Sequence, residues 1–485
     1  MQNRMTRRHM LLLAGGTAAA AAATPAWAAS TSGASSPFPS RRPAPGDRKF
    51  HSPAVEAQLA AVKQKISDPE LAWLFENCYP NTLDTTVETG SFEGKPDTAV
   101  ITGDIPAMWL RDSSAQVWPY VPLAAKDVAL RKMLEGVIRR QARCILIDPY
   151  ANAFMANLDD APLEWSRSDI TEMKRGVGER KWEIDSLCYP MRLAYGYWRA
   201  TGDVAPFDRR WHEAMKLAVK TMRVQQRKEG PGPYHFQRTS KVSTEMLPNE
   251  GFGAPVKAVG MIASGFRPSD DACTFPFLVP SNLFAATSLS HLAEMSHAVL
   301  HDEALANEAT ALAGEVRRAL RQYAVAQTTE GSIWAYEVDG YGSRLLMDDA
   351  NVPGLLGLPY LDSSPDAALY ARTRNFAWST RNPWFFQGSA GEGIGGPHVG
   401  KDMIWPMAIT VYALTSKSET EIGHALGMLK HASAGSGFMH ESFNCNDATK
   451  FTRSWFAWAN TLFGELVVTI AEQHPALLRV AYGSR

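Results

Sequence analysis

The stretch Lys181-Trp-Glu-Ile-Asp-Ser-Leu-Cys-Tyr-Pro-Met-Arg-Leu-Ala-Tyr-Gly-Tyr-Trp-Arg-Ala-Thr201 joins two kinds of text. From Leu187 to Thr201 apolar residues recur at helical spacing, with Ser186 as a candidate cap. Just before it stand a Trp and two acids, Glu183 and Asp185. Acids suit a helix start, where they meet the positive end of the dipole, so either can be structural; either can instead face a pocket and bind. The same alternation of helix and informative loop recurs along the chain. Helical spacing runs over Val55 to Ile66, Val128 to Ile147, Ala205 to Gln226, Leu283 to Val299 (with Ser281-Asn282 as caps), Ala304 to Gln327, Ile404 to Thr415, Glu419 to His431 and Trp455 to Ala471. The connections 79–120, 229–281, 339–362 and 375–403 are long and rich in Gly, Pro, aromatics and Asp. Long ordered loops inside one domain usually carry function. Helices of similar length with such loops between them predict an all-α fold, an α/α toroid whose loops line one mouth. Only Ser332 to Val338 and Tyr234 to Arg238 read as strands, so minor β-hairpin content is expected.

The chain has 485 residues, 45% hydrophobic and 20% charged, enough for a large core. Its start, with Arg7-Arg8 ahead of an apolar Ala/Gly run and Ala26-Trp27-Ala28 as a cleavage pattern, predicts a twin-arginine signal over residues 1–28. That implies a bacterial protein exported to periplasm or medium. The run is too weakly apolar for a membrane anchor. Residues 29–52, rich in Ser, Pro, Ala and Arg, predict a flexible linker, and 53–485 a single domain. Removing residues 1–28 takes away three arginines and no acids, so the charge becomes 46 − 50 = −4. Mild acidity offers no footprint for nucleic acid or anionic membrane and suits a neutral substrate. Five widely spaced cysteines form neither a zinc pattern nor a disulfide framework, and no cofactor or metal site is expected.

Two carboxylate centres stand out. Ser264-Gly-Phe-Arg-Pro-Ser-Asp-Asp-Ala272 sets adjacent acids after a Pro-stiffened turn, and Phe438-Met-His-Glu-Ser-Phe443 sets one acid among aromatics. An acid in such a loop is partly desolvated and holds its proton nearer neutral pH. Neighbouring side chains diverge, so one of Asp270 and Asp271 can face a pocket while the other is buried against Arg267. Asp270 is the preferred general acid, Asp271 the runner-up, and Glu441 the general base, with Glu392 in the Gly-rich stretch a rival. Two unrelated structural carboxylates remain the plainer reading of these loops taken alone. His440-Glu441 is not a zinc motif, because Asn444 stands where a second His would be. Trp109, Arg111 and Asp112 can clasp a sugar: the guanidinium donates a fork, the carboxylate accepts, and the indole covers C–H groups. Asp112 capping a helix beside Arg111 is the structural alternative. Asp348, Asp349, Asn351 and His398 lie in loops of the same character.

These strings, GDIPAMWLRDSSAQVWPY, KWEIDSLCYP, GFRPSDDA, MDDANVPGLLGLPYL, GGPHVGKDMIWPM and MHESFN, resemble glycoside hydrolase family 125 across residues 52–475. The resemblance implies an (α/α)6 barrel and an exo-acting, inverting, metal-independent α-1,6-mannosidase taking mannose-containing oligosaccharides or N-glycan fragments. It puts the acid in Arg-Pro-Ser-Asp-Asp, at Asp270 or Asp271, and the base at Glu441. Arg111 and Asp112 then hold the non-reducing sugar, and Glu183, Asp185, Arg267, Asp348, Asp349, Asn351, His398 and His440 are further binding candidates. A monomer is expected. The rivals are another (α/α)6 glycosidase, such as an α-glucosidase, and a catalytically silent glycan-binding protein.

Overall fold

The structure, a computed structural model, describes residues 37–483, so the expected signal at 1–28 lies outside the described residues. In chain order the α-helices are α1 (Pro53–Lys63), α2 (Pro69–Cys78), α3 (Asn81–Thr85), α4 (Leu110–Val117), α5 (Val128–Ile147), α6 (Asp185–Thr201), α7 (Arg209–Val224), α8 (Val279–Met295), α9 (Glu303–Tyr323), α10 (Ala367–Ala377), α11 (Pro406–Leu414), α12 (Glu419–Ala432) and α13 (Ala457–Gln473). They form two concentric rings. The inner ring runs α4, α6, α8, a stretch of short turns at 352–363, α11 and α13, and closes where α13 packs on α4. The turns take the fourth place, between Thr287 of α8, whose hydroxyl bonds Asp362 O, and Val411 of α11, which abuts Gly357. Helices α5, α7, α9, α10, α12 and α2 lie outside, making an (α/α)6 barrel.

Burial follows from position. Outer α7 buries Trp211, Ala214, Met215, Ala218, Val219 and Met222, a stripe at three- and four-residue spacing, and presents its charges outward. Fully burying one such large side chain contributes roughly 1.5–3 kcal/mol. Inner α11 is buried on every face from Pro406 to Ala413, and its sequence is apolar apart from Thr410 and the Tyr412 hydroxyl. The two rings run in opposite senses. At one end, Cys78 closing α2 meets Asn460 in the first turn of α13; at the other, Ser67 ahead of α2 bonds Leu478 beyond α13. The amino ends of the inner elements therefore gather at one mouth.

Several boundaries differ from the sequence reading. Ser186 and Ser281-Asn282 are not caps, because α6 and α8 begin earlier, at Asp185 and Val279. Ser186 Oγ turns to Glu183, and Asn282 bonds both N and O of Ile262. Residues 325–328 leave helical geometry and pair with 331–334 in a hairpin. Tyr234–Arg238 is not a strand; Gln237 only bridges Ile170. The stretch expected as linker is anchored over its second half. Arg42 pairs with Asp84 and Glu56, Lys49 and Phe50 donate to Asp84 O and Leu83 O, and Trp73 Nε1 donates to Pro39 O.

Candidate active site

Each of the six segments that lead into an inner element sends polar side chains to the mouth. Trp109 ends a three-residue strand, Ala107–Trp109, paired with Ala153–Met155, and Arg111 and Asp112 open α4. Asp112 lies in the first turn, while Trp109 holds the cap position and its side chain does not bond the helix end. Arg111 is buried among acids: Nη1 lies 2.5 Å from Glu183 and 3.3 Å from Asp185, Nε 3.4 Å from Asp112, and Nη2 3.7 Å from Asp270. Burial pulls this guanidinium's pKa down, and Glu183, Asp112, Asp185 and Asp270 together overcome it and hold it well above the usual range. Glu183 moves far above the ordinary carboxylate range, chiefly through burial, against the pull of Arg111. Burial likewise lifts Asp185, to about 6.

Asp270 sits at the edge of this cluster with φ at 64°, left-handed backbone that an Asp tolerates at a cost of about 1 kcal/mol. Its N–H donates to Arg267 O, and its carbonyl accepts from Lys181 Nζ at 2.7 Å. Oδ1 accepts from Trp109 Nε1 at 3.2 Å and from Asn152 Nδ2 at 2.9 Å. The amide of Asn152 is oriented by Lys181 N–H, which donates to its Oδ1, so its nitrogen faces the carboxylates. The divergence of the adjacent acids is as the sequence predicts, with one change. Arg267 is buried but its guanidinium pairs with Glu337 at 2.6 Å and meets Asp271 only through the backbone. Asp271 Oδ1 instead lies 3.7 Å from His398 Nδ1.

On the neighbouring wall Ser269 Oγ donates to Asp349 Oδ2, and Asp349 Oδ1 accepts from the backbone and side-chain nitrogens of Asn351. Gly396 lets this carboxylate approach, since a Cβ there would stand 3.1 Å from Asp349 Oδ2. Asp348 is fully buried and accepts three backbone N–H groups, from Asp349, Leu355 and Leu356. Burial still outweighs them and pushes its pKa up to about 7. A carboxyl with a folded pKa above its unfolded value favours the fold fully below the unfolded pKa, and that contribution is lost as pH rises through the folded one. Asp348→Asn, which removes one acceptor, is therefore less stable than the wild type at pH 5. The gap narrows towards pH 8, where only the wild type carries a buried charge. Denaturation midpoints across that range check the sign.

Glu441 precedes the strand Ser442–Asn444 and is 2% exposed. Its Oε2 accepts from Thr452 Oγ1 at 3.0 Å, and Oε1 lies 3.4 Å from Arg453 Nη1. Arg453 also bonds Asp104 and acts electrostatically on Asp112, which links this wall to the Arg111 cluster. The loop 101–105 can lie against 453–456 because residue 103 is Gly: a Cβ there would meet Trp455 O at 2.5 Å. His440 stacks on Phe451, with centroids 3.6 Å apart, and bonds Ser433 O and Ser436 Oγ. Burial lowers its pKa to about 4, so it is a neutral packing group. Glu392 lies in a hairpin with Gln387 and His424 as its partners.

Trp109, Arg111, Asp112, Glu183, Asp185 and Asp270 thus form one cluster, with Asp271, Asp349, Asn351 and His398 on one side and Glu441 on the other. Asn152, Lys181 and Arg453 were not anticipated. Arg453 shares with Arg111 a place just ahead of or within an inner-helix entry beside a Trp, which is the one signal that points to it.

The sequence profile of the metal-independent α-mannosidases (GH125) matches residues 68–468. The chain belongs to glycoside hydrolase family 125. The meiotically up-regulated gene 157 protein of Schizosaccharomyces pombe is 41% identical over 463 residues, 91% of this chain and 90% of that protein. A Streptococcus pneumoniae metal-independent α-mannosidase, solved as a non-productive substrate complex with α-1,6-mannobiose, superimposes with a TM-score of 0.84 at 38% identity. That match covers 88% of this chain and 100% of the other. A bacterial glucoamylase complexed with acarbose shares the fold at 10% identity, TM-score 0.50, covering 88% of this chain and 58% of its own. The family 125 relative from a fungus corrects one expectation. Export through the bacterial twin-arginine route does not stand when a fungal protein matches 91% of the chain. Among the described residues no helix is long and apolar enough to cross a membrane.

Proposed function

We propose that this α-mannosidase removes single mannose units from the non-reducing end of α-1,6-linked chains by one inverting displacement. Asp270 protonates the glycosidic oxygen, and Glu441 takes a proton from the water that attacks the anomeric carbon from the opposite face. The observation that carries this reading is the convergence of two buried carboxylates on one mouth, Asp270 beside Arg111 and Glu441 beside Arg453, with Asp112 between the two cations. Asp270 belongs to a buried set of acids, including Glu183 and Asp185, that share Arg111. Glu441 has Arg453 beside it and accepts from the Thr452 hydroxyl. Asp271, the runner-up for the acid, has His398 nearby. The linkage is supported by α-1,6-mannobiose being the ligand of the 38% identical relative.

Hydrolysis of α-1,6-mannobiose followed by proton NMR tests this. The expected first product is β-mannose, which mutarotates afterwards, with isomaltose left intact and the rate unchanged by a chelator. First-formed α-mannose overturns the single displacement, and inactivation by the chelator overturns metal independence.

A further inference from the structure

Asn152 leads into the strand Ala153–Met155, the middle of a three-stranded sheet in which Ala153 faces Trp109 on one side and Glu179 on the other. Its backbone O accepts from Leu110 N–H at the start of α4. The residue is fully buried, so it meets no substrate and acts through its neighbours. Its Oδ1 accepts from Lys181 N–H at 3.0 Å, which fixes the amide: the reverse orientation would set an oxygen against carboxylates and a nitrogen against an N–H. Nδ2 then lies 2.9 Å from Asp270 Oδ1, 3.1 Å from Glu179 Oε2 and 3.4 Å from Glu183 Oε1. An amide has two N–H groups, and the two nearest of these oxygens belong to Asp270 and Glu179. Glu179 is anchored from behind by Trp165 Nε1 and Arg238 Nη2, each at 3.1 Å. The amide is a strut from a fixed carboxylate to Asp270.

A second hold acts on the backbone of the same residue. Buried charges are normally paired, yet the buried ammonium of Lys181 donates to the Asp270 carbonyl at 2.7 Å, with Glu179 Oε1 farther off at 4.0 Å. The bond falls on the residue whose φ is 64°, a backbone conformation that persists only where its surroundings determine it. The carboxyl is fixed as closely. Trp109 Nε1 and Asn152 Nδ2 both donate to Oδ1. Two N–H donors occupy the lone pairs of that oxygen, so a proton on this carboxyl is carried by Oδ2.

We propose that Asn152 and Lys181 are positioning residues for the proton donor, the amide holding the carboxyl of Asp270 and the ammonium its carbonyl; this rests on the reading of Asp270 as the acid. The proton leaves Oδ2 for the glycosidic oxygen as the bond from that oxygen to the anomeric carbon breaks. The carboxylate left behind keeps its N–H bonds at Oδ1, and these strengthen as charge develops there. Asn152→Ala and Lys181→Met test the proposal. Each should lower kcat/KM on α-1,6-mannobiose about ten- to a hundred-fold, mostly in kcat, the scale of a hydrogen bond to a charged group. On an aryl mannoside whose dinitrophenolate departs without a proton, the loss should stay within about three-fold, because no acid assistance is needed. Equal losses on both substrates, or none on mannobiose, in the folded variants mark a structural role and overturn the proposal. Where one variant shows no cooperative thermal transition, the other decides. Failure of the acid reading shows separately, as Asp270→Ala losing equally on both substrates. Asn152 is then judged from the double variant on mannobiose. A rate no lower than that of Asp270→Ala alone means that the amide positions residue 270 whatever its role, and losses that multiply overturn this.

Discussion

Asp270→Asn lowers kcat/KM on α-1,6-mannobiose by about 10²–10⁴, the usual contribution of a positioned general acid, yet costs far less on an aryl mannoside with a dinitrophenolate leaving group. A sugar alkoxide cannot depart without a proton, whereas dinitrophenolate is stable as the anion. Acid assistance is needed only for the first. Glu441→Gln, by contrast, lowers both rates by about 10²–10⁴, because water must be deprotonated whichever group leaves. The substitutions preserve shape. Asn at 270 retains an oxygen for Trp109 Nε1 and Asn152 Nδ2, and Gln at 441 retains one for Thr452 Oγ1. Steady-state kinetics on the two substrates separate the roles. Equal losses at Asp270 on both substrates would remove it as the acid, and Asp271→Asn showing the leaving-group signature would transfer the role next door.

Much of this site was legible because its loops are chemically dense. A Trp with a cation and one or two acids, within a few residues of a helical period, is visible in the sequence alone, as at 109–112 and 181–185. The ring arrangement could be read from helix lengths, although α2 and α10 escaped, and so did the short α4. That helix lies inside a loop rich in Pro and Gly, and although every one of its residues is buried most are polar, so no apolar stripe marks it in the sequence. Asn152 was invisible for a different reason. Between two alanines it belongs to no motif, and its importance comes from three carboxylates converging on its amide from residues 179, 183 and 270. His440 was overrated by its neighbours: beside Glu441 it looks like a ligand, but a flat ring with Phe451 parallel to it is packing. Arg267 reads in the sequence as the partner of whichever of Asp270 and Asp271 turns from the pocket, and only the fold brings Glu337 closer.

Arg111→Met is expected to weaken the fold more than any other single change in this region. Deleting one partner of a buried charge pair costs about 3–5 kcal/mol, and this cation serves four acids. Its loss leaves Glu183, Asp185, Asp112 and Asp270 facing one another, with Lys181 Nζ turned to the Asp270 carbonyl. Glu183 and Asp185 are already raised by burial, and without Arg111 their folded pKa values climb further. Groups shifted upward favour the fold below their unfolded pKa and lose that contribution as pH rises through the folded one. The deficit of Arg111→Met against the wild type is therefore small near pH 5 and grows towards pH 8. Arg111→Lys keeps the charge but not the planar fork that reaches Glu183, Asp112 and Asp270 together, and should fall between. Urea midpoints over that pH range decide it. A deficit independent of pH would mean that the cost is lost packing of the side chain, and that the carboxylates do not depend on this cation for their ionisation.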